Sequence, residues 1–394
     1  MGRILRIVVG ILAIIALIYV IITGKLTLFV ELLISANDKF IYTNDYKIND
    51  LQISKADFYF NMLTVNQKKI YSAIAKGVKE LDDEVIVSKY ELDTIDTASI
   101  DTKEAINAFL CDHPEVFYMN SQYTVSFTES ILGKMLKIEL LYSVKDMQEL
   151  NSKILQLSAQ IDSICSSVNG ENNFDKELFV HDYLAKNVKY YSEFEDENSI
   201  EDKYHTAYAA IIEKQAVCDG ITKACQLILD RMQIESYIVT GYIDKTPHAW
   251  NIVNLDGNCV HLDITSDKYV KDETGNTIEP VHTYFNVSTD FISNTHNMDK
   301  AENMPQAKNI DYNYYKNKGA FISINDDFDK RIKEIANSQK DRKVLEFSTD
   351  ITMNVPERLL RQLYNINFNN YKSMGNNISM KYYNEQNVYI VQKD

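Results

Sequence analysis

Residues 216–232, with the sequence AVCDGITKACQLILDRM, predict an amphipathic helix that begins near Cys218. Its apolar residues recur on one helical face: Ile221, Cys225, Ile228 and Met232. At a helix N-terminus, unpaired N–H groups and the positive end of the dipole stabilise a thiolate. We therefore predict that Cys218 is a nucleophile, the ordinary alternative being a small buried side chain. Cys225 keeps that alternative because it lies on the apolar face.

A second stretch, residues 248–263, has the sequence HAWNIVNLDGNCVHLD and predicts a β-hairpin. Asp-Gly at 256–257, between two alternating strands, is a strong signal for a two-residue turn. With this loop, the strand pairing runs back until Trp250 faces Asp263. His248 then projects from the same face as a diagonal neighbour of Asp263, so the carboxylate can orient the imidazole. A slip of one residue would put the two side chains on opposite faces.

Cys218, His248 and Asp263 are more informative together than separately. A histidine and an aspartate in a hairpin are usually solvated or structural. Together with a cysteine at a helix N-terminus, they supply the nucleophile, the base and the orienting acid of thiol acyl transfer. The combination therefore favours a catalytic interpretation.

Three motifs strongly resemble those of the transglutaminase-like superfamily. They are Cys218-Asp219-Gly220, His248-Ala249-Trp250-Asn251 and His261-Leu262-Asp263-Ile264-Thr265. The resemblance covers residues 175–297 through further segments: His181-Asp182-Tyr183-Leu184, Val188-Lys189-Tyr190, His205-Thr206-Ala207-Tyr208, Tyr284-Phe285-Asn286 and His296. Two residues depart from the pattern, since Ala216 stands where the family often has Gly and Ser266 where many members have Trp.

The resemblance implies a fold and a set of roles. The fold is α+β with a papain/transglutaminase-like core, in which a helix bearing the cysteine packs on an antiparallel sheet bearing the histidine and the aspartate. We expect an N-terminal membrane helix, whose sequence is given below, and α/β segments on either side of this core. Cys218 is the implied nucleophile, His248 the general base and later acid, and Asp263 its orienting partner. The backbone N–H of Cys218 is implied to contribute to an oxyanion hole.

Two aromatic residues are candidates for substrate binding. Tyr208 is a candidate wall of the pocket, with core packing as an equal alternative. Trp250, the only tryptophan, is the second candidate and is also expected to pack the hairpin against the helix. The histidines His181, His205 and His261 have no metal-ligand spacing, so we expect structural roles and predict no metal and no cofactor.

The N-terminus carries a long apolar run. Residues 4–23 have the sequence ILRIVVGILAIIALIYVIIT, with Arg6 as the only charge. Residues 7–23 cover roughly 25 Å at the helical rise, and residues 26–35 extend the pattern, so a membrane helix is predicted. Arg3 and Arg6 precede the run, which places the N-terminus inside and the body outside the cytoplasm. A cleaved signal peptide followed by secretion is the alternative.

Composition excludes several classes of protein. Of 394 residues, 45% are hydrophobic and 25% charged, as in globular proteins with a normal core. The 41 Lys and Arg residues against 56 Asp and Glu give a net charge of -15, which repels phosphate backbones and argues against nucleic-acid binding. The 5 cysteines are odd in number and contain no CxxC pair, so neither a disulfide framework nor a zinc ribbon is indicated.

The pattern of elements predicts four regions. They are a membrane anchor at 1–35, an N-terminal α+β region at 36–170, a transglutaminase-like catalytic domain at 171–300 and a small C-terminal α/β module at 320–394. The second region is expected to contain a helix at 64–81 and paired strands at 122–128 and 135–143. The C-terminal module is expected to contain strands at 343–348, 377–383 and 388–391, with a helix at 356–364.

The sequence thus predicts a membrane-anchored, extracytoplasmic cysteine enzyme that acts at amide bonds through an acyl-thioester. Hydrolysis by a peptidase and transfer to an amine by a transglutaminase-like acyltransferase both remain open. The composition suggests a bacterium with AT-rich DNA, so cell-envelope peptides or proteins are the expected substrates and the lipid bilayer the expected second partner. The alternative is a non-catalytic module that binds envelope peptide or glycan on the same fold, although an intact triad argues against it.

Overall fold

The computed structural model divides into two compact units, residues 1–151 and residues 152–394, which are described separately here. The structure describes residues 48–49, 51, 57–87, 95–130, 133–191, 202–267, 270–271, 277–351, 355, 358–359, 362, 378–383 and 387–393. The predicted membrane anchor at 1–35 lies outside these residues. Among the described helices, none has the length and apolar character needed to cross a membrane.

In its described residues, the first unit combines three helices with a small sheet. They are α1 (Phe58–Met62), α2 (Val65–Glu80), α3 (Ile95–Asp112), β1 (Glu84–Val87), β2 (Met119–Ser130) and β3 (Gly133–Tyr142). The strands pair antiparallel in the order β1-β3-β2. The Thr64 hydroxyl accepts from the Gln67 N–H, and the Gln67 side chain accepts from the Thr64 N–H, so a capping box starts α2. The predicted helix at 64–81 and the predicted strand pair are confirmed.

The second unit contains the remaining described elements, and α4 (Met147–Ser166) includes the boundary. Its other helices are α5 (Asn173–Asn187), α6 (Cys218–Arg231), α7 (Thr289–Ile292), α8 (Tyr314–Asn317) and α9 (Phe328–Ser338). Its strands are β4 (Lys189–Tyr190), β5 (Gln215–Ala216), β6 (Ser236–Ile243), β7 (Thr246–Leu255), β8 (Asn258–Leu262), β9 (Val270–Lys271), β10 (Thr277–Glu279), β11 (Phe285–Val287), β12 (His296–Met298), β13 (Phe321–Ile322), β14 (Val344–Thr349), β15 (Ile378–Tyr383) and β16 (Val388–Lys393).

A five-stranded antiparallel sheet of order β11-β8-β7-β6-β12 forms the centre of this unit. In the β7–β8 hairpin, Leu255 pairs with Asn258, so the predicted register is confirmed. Asp256 and Gly257 have φ of 53° and 87°, the positive values that a type I′ turn requires. The apolar face of α6, which includes Ile221, Cys225 and Ile228, is buried, and α6 packs against β6, β7 and α5.

The C-terminal part of the unit is a second sheet of order β13-β14-β16-β15. β13 runs parallel to β14, while β16 is antiparallel to both β14 and β15. The predicted strands at 343–348, 377–383 and 388–391 are confirmed. Most of the helix predicted at 356–364 lies outside the described residues.

The fold prediction is confirmed at the level of a mixed α and β protein in which the cysteine-bearing helix packs on an antiparallel sheet. One detail differs, because Asp263 follows the last residue of β8 instead of lying within the strand. The four-region division of the chain stays a prediction.

Candidate active site

Cys218 is the first residue of α6, at a helix start without a side-chain cap. Val217 occupies the N-cap position and makes no capping hydrogen bond, which leaves the N–H groups of the first turn to water, a ligand or a developing negative charge. Gly220 permits a close approach, since a Cβ on it would lie 2.5 Å from the carbonyl oxygen of Tyr204. The Cys-Asp-Gly motif thus joins a thiol to a residue that lets the 202–205 turn pack against the helix start.

Two buried polar side chains fix α6 against β7. The Thr222 hydroxyl donates to the carbonyl oxygen of Ala249 at 3.1 Å. The side-chain amide of Asn251 donates to the carbonyl oxygen of Thr222 at 3.2 Å. Since Ala249 directly follows His248, these bonds hold the strand of the histidine beside the helix of the cysteine.

His248 contacts Asp263 as the hairpin register predicts. His248 Nε2 lies 2.8 Å from Asp263 Oδ2. The buried carboxylate also accepts from Thr265, through its N–H at 3.0 Å and its hydroxyl at 2.6 Å. Ser266 donates in the same way, through its N–H at 3.1 Å and its hydroxyl at 2.5 Å. A buried carboxylate requires donors of this kind to stay ionised.

His296 is a second histidine on the same carboxylate. Its Nε2 lies 3.0 Å from Asp263 Oδ2, and its Nδ1 lies 2.8 Å from the Thr295 hydroxyl oxygen. Strand β12 brings His296 here by pairing with β6, where a Cβ on Gly241 would lie 2.1 Å from the carbonyl oxygen of Asn297. The sequence motifs include His296, but only the long-range pairing of β12 places it on the triad acid.

The charge of Asp263 sets the protonation state of His248. Burial raises the pKa of Asp263, but His248 and His296 outweigh it and hold that pKa well below its usual value. Burial lowers the pKa of His248, but Asp263 and then Cys218 raise it to about 10. His248 is therefore an imidazolium at neutral pH. Since Nε2 faces Asp263, Nδ1 is the ring nitrogen left for the hydrogen bond that His248 makes with Cys218.

Tyr190 is a further polar group at the thiol. It ends β4, which pairs in parallel with β5 and places Tyr190 opposite Ala216. Its hydroxyl makes a hydrogen bond with Cys218. Burial and then the neighbouring Cys218 raise the pKa of Tyr190 well above its usual value, so the phenol keeps its proton and donates to the sulfur. The sequence analysis missed this role because the β4–β5 pairing has no signature in such short strands.

The structure buries Trp250 behind the two histidines. Its ring stacks near His248 at a centroid distance of 6.1 Å and meets His296 edge-on at 4.9 Å. Its N–H donates to Nδ1 of His261 at 3.1 Å. Burial lowers the pKa of His261 to about 3, so its ring is neutral and can accept this bond. These contacts pack Trp250 among three histidines; its packing against the helix and its assignment to substrate binding stay predictions.

Tyr208 contacts residues of α4, and His205 contacts a residue of α6. The Tyr208 hydroxyl donates to Gln156 at 2.8 Å, and Lys153 lies 5.5 Å from the centre of the Tyr208 ring. Neither contact is with the triad, so the role of Tyr208 as a pocket wall stays a prediction. His205 Nδ1 lies 2.8 Å from a carboxylate oxygen of Asp219, which ties the 202–205 turn to the first turn of α6.

Comparison with known proteins identifies the region that carries this site. Residues 162–264 match the family model of the transglutaminase-like superfamily, a range that includes Cys218, His248 and Asp263. The chain contains a transglutaminase-like domain. A comparison with curated proteins gives no match.

Two solved structures are similar to parts of the chain. A "Putative Cysteine Protease" from Cytophaga hutchinsonii is 14% identical over 41% of this chain and 70% of that protein, with a TM-score of 0.24. A protein named as a TGase is 15% identical over 62% of this chain and 59% of its own length, with a TM-score of 0.26. This chain therefore spans less than two thirds of the TGase. The TM-scores are low, and the family assignment rests on the sequence match.

The two departures from the family pattern have visible positions in the transglutaminase-like domain. Ser266, where many members have Trp, donates its hydroxyl to Asp263 and so adds to the hydrogen bonds on the triad acid. Ala216, where the family often has Gly, is buried opposite Tyr190. Neither departure removes a group of the triad.

Cys218 is expected to react with iodoacetamide before the other cysteines. Burial raises the pKa of Cys225 well above its usual value and also raises the pKa of Cys165 and Cys259, whereas the His248 imidazolium favours a thiolate at Cys218. Brief alkylation near neutral pH, followed by peptide mass spectrometry, measures the labelling of each cysteine. His248→Gln should slow labelling at Cys218 alone. Equal labelling of Cys218 and Cys225 in the parent protein would contradict the prediction.

Proposed function

We propose that the transglutaminase-like domain is a cysteine enzyme that breaks amide bonds through an acyl-thioester on Cys218. The observation that carries this proposal is the convergence of Cys218, His248 and Asp263, with His248 in contact with both partners. The thiol also lies at a helix N-terminus without a side-chain cap. Nucleophile, base and orienting acid are the three roles that thiol acyl transfer requires.

In the proposed first step, the Cys218 thiolate attacks the carbonyl carbon of an amide. The C–N bond then breaks as the His248 imidazolium gives its proton to the departing amine. The Cys218 backbone N–H is the proposed donor to the oxyanion that forms in between, a role whose loss typically costs about 100-fold or more in rate. The remaining N–H groups of the first turn of α6 add the field of the helix dipole.

In the second step, neutral His248 takes a proton from the acceptor, which attacks the thioester and releases the Cys218 thiolate. Asp263 orients the imidazole in both steps and stabilises its charged form. Water as acceptor gives a peptidase, and an amine gives a cross-linking acyltransferase. The donor half of the reaction is the same for both, so the triad supports the two outcomes equally.

A thioester adduct on Cys218 is the expected signature of this chemistry. The full chain is incubated with a glutamine-containing protein or an envelope peptide and analysed by intact-mass spectrometry. The parent protein and Cys259→Ala, a matched change at a half-buried cysteine of the same hairpin, should both show the adduct. Cys218→Ala should show none because the nucleophilic sulfur is removed, and the neighbouring Tyr190 phenol keeps its proton and does not replace it. A fluorescent primary amine added to the reaction is incorporated by a transferase and ignored by a peptidase.

Parent protein that binds these substrates without ever forming the adduct would instead support the alternative function, a module that binds envelope peptide or glycan. In that case Cys218→Ala and Asp263→Asn should keep the affinity of the parent. Detection of the covalent adduct and the ligand affinity of these two variants therefore distinguish the two functions.

Asp263→Asn is expected to lower turnover and to move its alkaline limit to lower pH. A comparable change in a serine triad costs about 10,000-fold. Since Asp263 is the main cause that raises the pKa of His248 to about 10, the amide should let the imidazolium lose its proton at lower pH. In the parent, the charged ring stabilises the fold fully below about pH 6.5, and this contribution is lost as pH rises through about 10.

The measurement is the pH dependence of kcat/KM for the parent and for Asp263→Asn. Asp256→Asn is the matched control on the same hairpin, because Asn-Gly suits a type I′ turn as well as Asp-Gly does. It should keep the rate and the pH profile of the parent. An unchanged alkaline limit in Asp263→Asn would contradict the proposed control of His248 by Asp263.

We further propose that residues 1–35 anchor the protein in the bacterial cell membrane, with the body outside the cytoplasm and acting on envelope peptides or proteins. Support comes from the apolar run with Arg3 and Arg6 before it. Protease added to intact cells should digest the body and leave a cytoplasmic control protein whole. Digestion only after lysis would place the body inside the cytoplasm. Active protein that is found in the medium and lacks residues 1–35 would indicate a cleaved signal peptide.

A further inference from the structure

Two histidines and an aspartate outside the triad converge in a group named the His181 cluster, formed by His181, Asp182 and His282. His181 and Asp182 lie on α5, and His282 lies three residues before β11. His181 Nδ1 and His282 Nε2 each lie 3.0 Å from the same oxygen, Asp182 Oδ1. The three potential ligand atoms are all within 4.8 Å of one another.

Each histidine of the cluster is held from behind by a second, buried carboxylate. His181 Nε2 lies 3.3 Å from Asp267, and His282 Nδ1 lies 2.7 Å from Glu346. Metal-binding histidines almost always donate their other N–H to a carboxylate, a carbonyl or water, which fixes the tautomer and turns the free nitrogen towards the ion. Both rings of the cluster have this arrangement, and both free nitrogens point at Asp182.

The outer carboxylates are themselves fixed by other groups. Asp267 accepts from the backbone N–H of Tyr284 at 3.0 Å. Glu346 accepts from the Tyr315 hydroxyl at 3.1 Å and from Arg342 at 2.5 Å. The His282 ring also stacks on Tyr314, with centroids 3.7 Å apart and planes 5° apart. The orientation of the rings is therefore built into the fold.

The charges around the cluster favour a cation. As metal ligands both histidines are neutral. Arg342 then pairs with Glu279 and Glu346, while Asp182 and Asp267 have ion-pair contacts only with the histidines among the described residues. A divalent ion between the rings offsets this excess of negative charge in a region where carboxylates are otherwise costly to bury. Asp182 is 37% exposed, so an ion can enter from its side.

We propose that His181, Asp182 and His282 bind one Zn²⁺ ion, with a water molecule in the fourth position. Two imidazoles and a carboxylate are ligands that zinc accepts, at about 2.0–2.2 Å in a tetrahedral arrangement. Such bonds separate the ligand atoms by roughly 3.3 Å, so small movements of the three side chains suffice. The ion takes the place of the protons that the two rings otherwise share with Asp182.

The proposed zinc site stabilises the segment that carries the triad acid. Asp267 joins His181 to the chain just after Asp263, and Asp263 itself donates its N–H to the carbonyl oxygen of Tyr284 at 3.2 Å. Zinc would thus fasten α5, the 281–284 segment and the 263–267 segment to one another. This role is independent of the proposed reaction, since it concerns the position of the segments and not the thiol.

A second group of His248, Asp263 and His296 has similar ligand spacing, but it differs in what surrounds its acid. Both oxygens of Asp263 accept hydrogen bonds from Thr265 and Ser266 in addition to the histidines. A metal there would have to displace these donors, whereas Asp182 has solvent on one side. The triad is therefore the competing location that the experiment must separate.

The test measures zinc on the full chain purified in detergent, with Cys218→Ala as the background so that no triad thiol can bind the metal. After dialysis against a weak chelator, elemental analysis should find one Zn²⁺ per chain. Co²⁺ should give the visible absorption of a tetrahedral nitrogen and oxygen site, without a thiolate charge-transfer band. Zinc should also raise the Tm of this protein.

Asp182→Asn, which keeps the shape of the side chain, should remove the stoichiometric zinc and the shift in Tm. Asp267→Asn should weaken binding by about 10- to 100-fold because it removes the partner behind His181. Asp175→Asn, the matched control on α5, removes one carboxylate that is paired with Lys318 and should bind zinc like the background. Circular dichroism checks that each variant is folded.

Two results would overturn the proposal. One is a background protein that binds no more zinc than folded Asp182→Asn does. The other is zinc binding that survives in Asp182→Asn and is lost in His248→Ala, which would locate the metal at the triad.

Discussion

The buried carboxylate of Asp263 is the interaction on which the site depends. It accepts from two histidine rings, two hydroxyls and two backbone N–H groups, and this set of donors keeps it charged although burial opposes the charge. The negative charge in turn keeps His248 protonated well above neutral pH. This charged ring makes a hydrogen bond with Cys218. The charge of His248 therefore depends on the hydrogen bonds that the protein donates to Asp263.

The position of the thiol depends on a different set of contacts, between α6 and the sheet. Thr222 and Asn251 link the helix to β7 through buried hydrogen bonds, and Gly220 lets the 202–205 turn pack closely. These groups all lie within or next to the Cys-Asp-Gly and His-Ala-Trp-Asn motifs. The motifs therefore encode the packing of a helix on a strand as well as the reacting groups.

The polar network of the second unit reaches beyond the triad. Asp267 and Glu346 hold the rings of the His181 cluster from behind, and Glu346 comes from the C-terminal sheet. The sequence analysis predicted no metal because His181, His205 and His261 have no metal-ligand spacing, and it did not single out His282. Spacing along the sequence detects a metal site only when its ligands share one helix, hairpin or loop. Here the ligands come from a helix and a distant segment that only tertiary packing brings together.

The features that the sequence alone predicted correctly depend on residues that are close together in the chain. The Asp256-Gly257 turn fixed the register of the hairpin and so the approach of His248 to Asp263, and the apolar face of α6 fixed which side of the helix is buried. Local hydrogen bonds and side-chain periodicity are sufficient for both. The tertiary structure alone decided that His296 shares Asp263 and that Tyr190 contacts the thiol, because strand pairings between distant segments place them. Such pairings depend on how the whole chain closes on itself, and no short stretch of residues carries that information.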